Sequence, residues 1–128
     1  MISGFEVETA PLTRDERNSA RILGEYISRY PWWFTADALA KVVGWKPGKS
    51  TGARIRKVIN HIRREGVLII ASSKGYKIAQ NRTEAIDYLE GLDQRISAIQ
   101  AVRDALRKAM DRELPRGHQL DLMEGQGQ

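Results

Sequence analysis

The sequence predicts a mostly α-helical chain with one small β-hairpin and a long C-terminal helix. Three stretches before Gly66 place apolar residues at helical spacing, each between a capping residue and a Pro or Gly stop. Two short apolar runs flank Ser72-Ser73-Lys74-Gly75, which is turn chemistry. From Asn81 to about Arg112 no proline interrupts the chain, and apolar residues recur at alternating three- and four-residue steps.

Residues 1–12 carry no period, end in Pro11-Leu12 and are expected to be a flexible arm. Thr13-Arg14-Asp15-Glu16 has the spacing of a capping box. Ile22, Leu23, Tyr26, Ile27 and Tyr30 follow at helical spacing until Pro31. Trp32-Trp33-Phe34 is too short for a helix and suits a single edge strand. Thr35 then caps a short helix whose apolar face is Ala38, Leu39, Val42 and Val43, with Gly44 just past its end. Trp45-Lys46-Pro47-Gly48 is a turn. A third helix starts at Ser50 or Thr51 and ends at Gly66. Residues 67–79 then form the hairpin, with Gly75 expected at positive φ. Helix, short strand, helix, turn, helix and hairpin is the order of a winged helix-turn-helix, here over residues 13–80.

The remainder differs in kind. Asn81 and Glu84 have capping-box spacing, and Leu89, Leu92, Ile96, Ile99, Leu106 and Met110 form an apolar seam broken only by Arg103. Such a heptad stripe over residues 81–113 predicts dimerisation or partner binding, with a homodimer as the first expectation and a break at Gly91 as the alternative. Residues 114–128, rich in Pro, Gly and Gln, are expected to be a disordered tail.

Charge directs attention to the third helix and its neighbours. The 128-residue chain carries a formal +5. Between Gly44 and Arg82 there are ten Lys or Arg and the single acid Glu65, so this segment is +9 and the rest sums to −4. A basic excess confined to one third of a chain is the footprint of a polyanion-binding face, since ordinary solvated surfaces interleave both signs. At 100° per residue Ile55, Val58, Ile59 and Ile62 face the core. The opposite side then carries Ala53, Arg56, Lys57, Asn60 and Arg64, with His61 at its flank. Major-groove reading needs this mixture: Arg or Lys for guanine, Asn for adenine, and a small residue where the helix enters. Lys46, Lys49, Ser50 and Thr51 stand at the helix start, where free N–H groups and the dipole favour a phosphate. Lys74 at the hairpin tip is placed for backbone or minor-groove contact.

The stretch Ala53-Arg54-Ile55-Arg56-Lys57-Val58-Ile59-Asn60-His61-Ile62-Arg63-Arg64-Glu65-Gly66-Val67, followed by Ser73-Lys74-Gly75-Tyr76-Lys77-Ile78-Ala79, resembles the DNA-binding domain of the biotin operon repressor type. The resemblance covers roughly residues 35–80. It implies a winged helix-turn-helix that binds DNA, with Gly66 ending the recognition helix and Gly75-Tyr76 returning from the wing. The ligase domain of that family is absent from the sequence, and nothing about biotin is implied. Small size and a helical extension also resemble regulators of phages and mobile elements.

Other signals fail. Gly44-Trp45-Lys46-Pro47-Gly48-Lys49-Ser50 has three residues between its glycines, whereas a P-loop needs four. His61 and His118 lie on different elements, and the chain has no cysteine, so neither a metal site nor a disulfide is expected. Asp87, Asp93 and Asp104 lie among basic neighbours and suit a solvated helix face better than catalysis. Trp32, Trp33 and Phe34 could stack on single-stranded bases, but aromatic residues beside a hairpin more often bury their area. No membrane span or secretory signal is visible. The expectation is a non-enzymatic, cofactor-free, sequence-specific binder of double-stranded DNA, cytoplasmic and nucleoid-associated, acting as a transcriptional regulator. The alternatives are a replication or recombination accessory factor, or a winged-helix adaptor for another protein.

Overall fold

The computed structural model describes residues 10–116. The expected tail from residue 117 on, with His118, and the expected arm up to residue 9 lie outside the described residues. The chain is mostly α-helical with one two-stranded antiparallel hairpin and a long C-terminal helix, as its sequence predicts. The elements are α1 (Arg14–Arg29), α2 (Ala36–Val42), α3 (Thr51–Arg64), β1 (Ile69–Ser72), β2 (Gly75–Ile78) and α4 (Arg82–Glu113).

Local chemistry sets most boundaries. The Thr13 hydroxyl accepts from Glu16 N at 3.1 Å, and the Glu16 carboxylate accepts from Thr13 N at 2.9 Å, so both halves of the capping box form. Thr35 caps α2 by accepting from Ala38 N at 3.1 Å. Among the described residues only glycines take positive φ: Gly44 and Gly66, just past α2 and α3, and Gly75 at +117°. At α4 the expected capping box forms only in part. Asn81 accepts from Glu84 N at 2.9 Å, but the Glu84 carboxylate accepts from Gln80 N at 2.8 Å. Its second oxygen meets Lys77 Nζ at 2.6 Å.

α1 and α2 both pack on α3, and β2 reaches α1. The centre of the core is Leu23 and Ile27 from α1, Leu39 from α2, and Ile55, Val58, Ile59 and Ile62 from α3. Ile22 and Trp32 remain exposed. The edge strand expected at Trp32–Phe34 shrinks to one bridge. Phe34 and Tyr76 exchange both backbone hydrogen bonds at 2.8 Å, and Phe34 is buried. Within the stretch expected to be an arm, Leu12 packs against the core, and its carbonyl accepts from Arg17 Nη1 at 2.9 Å.

Two compact units divide between Tyr88 and Leu89. The first turns of α4 belong to the N-terminal unit because Lys77 holds Glu84 and Arg63 holds Tyr88. In the second unit α4 runs through Gly91 without a break. Leu89, Ile96, Ile99, Leu106 and Met110 are exposed and Leu92 is half-buried. Among the described residues no helix is long and apolar enough to cross a membrane.

Candidate nucleic-acid interface

The core contacts orient α3. With Ile55, Val58, Ile59 and Ile62 turned inward, Arg56 and Arg64 are exposed, and Ala53 and Asn60 are half-buried beside them. Arg56 leans back over the first turn: a Cβ added at Gly52 would lie 3.8 Å from Arg56 Nη2. This is the N-terminal lean that helical side chains favour. Gly52 and Ala53 keep the entry end of the helix low.

Two residues expected on this surface are turned inward. Lys57 is 5% exposed, and its ammonium lies 2.7 Å from Glu16 Oε1. Spacing alone places Lys57 outward, because a single apolar stripe implies a single packed side of α3. The start of α1 covers a second side, and Glu16 there needs a cation. Thr51 is also buried, and its hydroxyl accepts from Gly48 N at 2.6 Å, which closes the turn before the helix. His61 stays at the flank, 3.5 Å from Glu65 Oε2 one turn later.

Glu16 organises the flank of α3 that packs against the start of α1. Besides Thr13 N and Lys57, it accepts from Arg54 Nε at 2.8 Å. Burial would raise the pKa of this carboxyl. The hydrogen bonds from Lys57, Thr13 and Arg54, with the Lys57 charge, outweigh burial and lower it from 4.5 to about 2. Arg54 continues outward over the Trp45 ring at 3.8 Å, and Trp45 Nε1 donates to Asp15 at 3.1 Å. These contacts staple the turn between α2 and α3 to the start of α1.

The staple shapes a shallow cleft of ≈ 300 Å³ lined by Trp45, Lys46, Gly48, Lys49, Ser50, Thr51 and Arg54. Lys46, Lys49 and Ser50 are exposed there. Among the described residues Ser50 has no side-chain cap hydrogen bond to α3. The start of α3 therefore combines two ammonium groups with a helix end lacking a side-chain cap, a suitable environment for an anion.

Arg63, not singled out by sequence, fixes the other end of the face. Its guanidinium donates to Ile69 O at 2.8 Å, Asn60 Oδ1 at 3.0 Å and Tyr88 Oη at 2.9 Å. It thereby ties α3 to β1 and the start of α4, and it holds the Asn60 amide in one orientation. Asn60 Oδ1 has a second lone pair and its amide carries two N–H donors, so this contact does not exhaust it. No sequence signal separated Arg63 from the surrounding cations. At the hairpin tip Lys74 is exposed, and its backbone N–H donates to Ser72 Oγ at 3.0 Å.

The folded chain thus sorts its cations. Arg54, Lys57 and Lys77 pair with Asp15, Glu16 and Glu84, whereas the side chains of Lys46, Lys49, Arg64 and Lys74 are exposed. Comparison with protein-family models, with curated proteins and with solved structures gave no match for this chain.

Proposed function

We propose that the N-terminal unit binds double-stranded DNA as a winged helix-turn-helix, with α3 in the major groove and the β1–β2 hairpin as the wing. The observation that carries this reading is the composition of the outward face of α3: Ala53, Arg56, Asn60 and Arg64, with Asp15 and Glu16 engaged by Arg54 and Lys57 on the flank packed against α1. Arg56 and Asn60 read bases, Arg56 at guanine O6 and N7 and Asn60 at adenine N6 and N7. Lys46, Lys49, Ser50 and Arg64 hold phosphates and fix the register. Lys74 contacts the backbone beside the groove. The resemblance of residues 35–80 to the biotin operon repressor type points the same way. The chain acts as a cytoplasmic, nucleoid-associated transcriptional regulator without catalytic chemistry, and two copies pair through α4 so that two recognition helices meet two half-sites. A replication or recombination accessory factor would use α3 identically and differ in what α4 holds; the genomic positions of the bound sites separate the two.

Substitutions test the assignment on a duplex selected from a random pool. Arg56→Ala and Asn60→Ala should each cost about 1–3 kcal/mol and relax preference at one base position. Lys49→Ala and Lys74→Ala should weaken all duplexes alike while leaving the melting temperature unchanged. Lys57→Met should lower the melting temperature, because the ammonium faces Glu16, and leave the affinity of the folded protein for DNA unaltered when measured below that temperature. Wild-type affinity and preference in Arg56→Ala and Asn60→Ala, measured in the same salt, would remove α3 as the reader.

A further inference from the structure

α4 leaves an apolar face uncovered. Ile96, Ile99, Val102, Leu106 and Met110 are all more than half exposed, and a groove of ≈ 410 Å³ on this face is lined by Ile99, Val102, Leu106 and Met110 with Arg103 and Arg107. A stripe of this length is an association surface. We propose that its occupant is α4 of a second copy running antiparallel, which rests on the pairing described above and gives it an orientation.

Charge complementarity selects the antiparallel arrangement. Residues 86–94 carry three acids and no base, whereas residues 95–112 carry five bases and two acids. Antiparallel pairing lays the acidic start of each helix on the basic end of the other. Parallel pairing sets like against like. The heptad positions agree. With Leu89, Ile96, Arg103 and Met110 at a, and Leu92, Ile99 and Leu106 at d, a parallel pair stacks Arg103 on the partner's Arg103 in the seam. It also leaves Val102, at a flanking g position, beside the partner's Arg107.

The antiparallel register removes both conflicts. Ile96 then faces the partner's Leu106, and Leu92 faces the partner's Met110, each contact occurring twice by symmetry. Arg103 lies against the partner's Ile99 with its guanidinium reaching the rim. Val102 meets the partner's Val102 near the two-fold axis, which explains an exposed valine outside the a/d seam. Asp93 and Arg107, both at e, lie beside each other across the pair, the contact occurring twice along the edge opposite Val102.

Sedimentation of the full chain followed by spin labelling tests the orientation. The chain contains no cysteine, so Gly91→Cys gives a single label site, and a Cβ there meets nothing within 4 Å. In the antiparallel register the two labels are separated by roughly 30 Å along the axis. In a parallel pair they stand level, within about two helix diameters, or about 20 Å. Asp93→Arg should weaken the dimer about tenfold, and adding Arg107→Asp to it should restore wild-type association. A dimer with the short distance, or one in which the two reversals do not compensate, overturns the antiparallel arrangement and leaves pairing intact. A monomeric wild type at tens of micromolar overturns pairing itself.

Discussion

Glu16→Gln is expected to destabilise the N-terminal unit by about 3–5 kcal/mol, the range for removing one partner of a buried ion pair. Glu16 and Lys57 are each about 5% exposed, so the neutral amide leaves an ammonium without a compensating charge inside the fold. The same side chain sets a pH dependence. Its folded-state pKa is depressed from 4.5 to about 2, so the unfolded chain takes up the proton first as pH falls. The stabilisation, roughly 3 kcal/mol for a shift of this size, is full above about pH 4.5 and disappears as pH falls through about 2. Urea denaturation of wild type and Glu16→Gln at pH 7 and pH 2 should give a large difference in midpoint at the higher pH and a much smaller one at the lower. Equal midpoints at pH 7 would contradict the ion pair.

Gly75→Val is expected to have a comparable effect through sterics. Gly75 sits at φ +117°, where a side chain is strained by about 1–3 kcal/mol. An added Cβ would also overlap the Phe34 carbonyl oxygen and lie 2.6 Å from its carbon. That carbonyl cannot retreat freely, because Phe34 and Tyr76 are joined by both backbone hydrogen bonds of the bridge. The substitution therefore opens the bridge or distorts the hairpin. The loss should be at least about 3 kcal/mol once strain and the broken bridge combine. Even Gly75→Ala should lose most of this. Gly91→Ala is the contrasting case: the position is helical and uncrowded, so helix propensity should stabilise α4 by up to about 1 kcal/mol. Thermal denaturation ranks the three. A Gly75→Ala protein melting with wild type would contradict the close approach.

What the sequence made legible was local. Thr13, Thr35, Gly44, Gly66 and Gly75 act through backbone neighbours a few residues away, so residue type and spacing suffice to place element ends. The heptad steps of α4 likewise depend on one helix alone. What it hid was tertiary. Lys57 and Arg56 are adjacent cations on one helix, and only the packing of α1 separates a core ion pair from a surface group. Arg63 looked like any other cation until β1 and Tyr88 came within its reach. By spacing the acids Asp15 and Glu16 are helix-start residues, and their second role, visible only in the fold, consumes two of the ten cations of the basic segment, Arg54 and Lys57. Val102 lies outside the a/d seam and has no function within a single helix.

Equilibrium binding across a salt series decides whether the exposed cations and α3 form a duplex-reading surface. Duplexes enriched from a random pool would be titrated with the full chain between 50 and 200 mM salt, beside scrambled duplexes and single strands as competitors. If Lys46, Lys49, Arg64 and Lys74 each neutralise one phosphate, log K should fall against log salt with a slope of roughly −3 to −4 per copy. The enriched duplex should also outcompete scrambled sequence by at least about a thousandfold. A flat salt dependence, or no enrichment of any duplex sequence, would contradict the account.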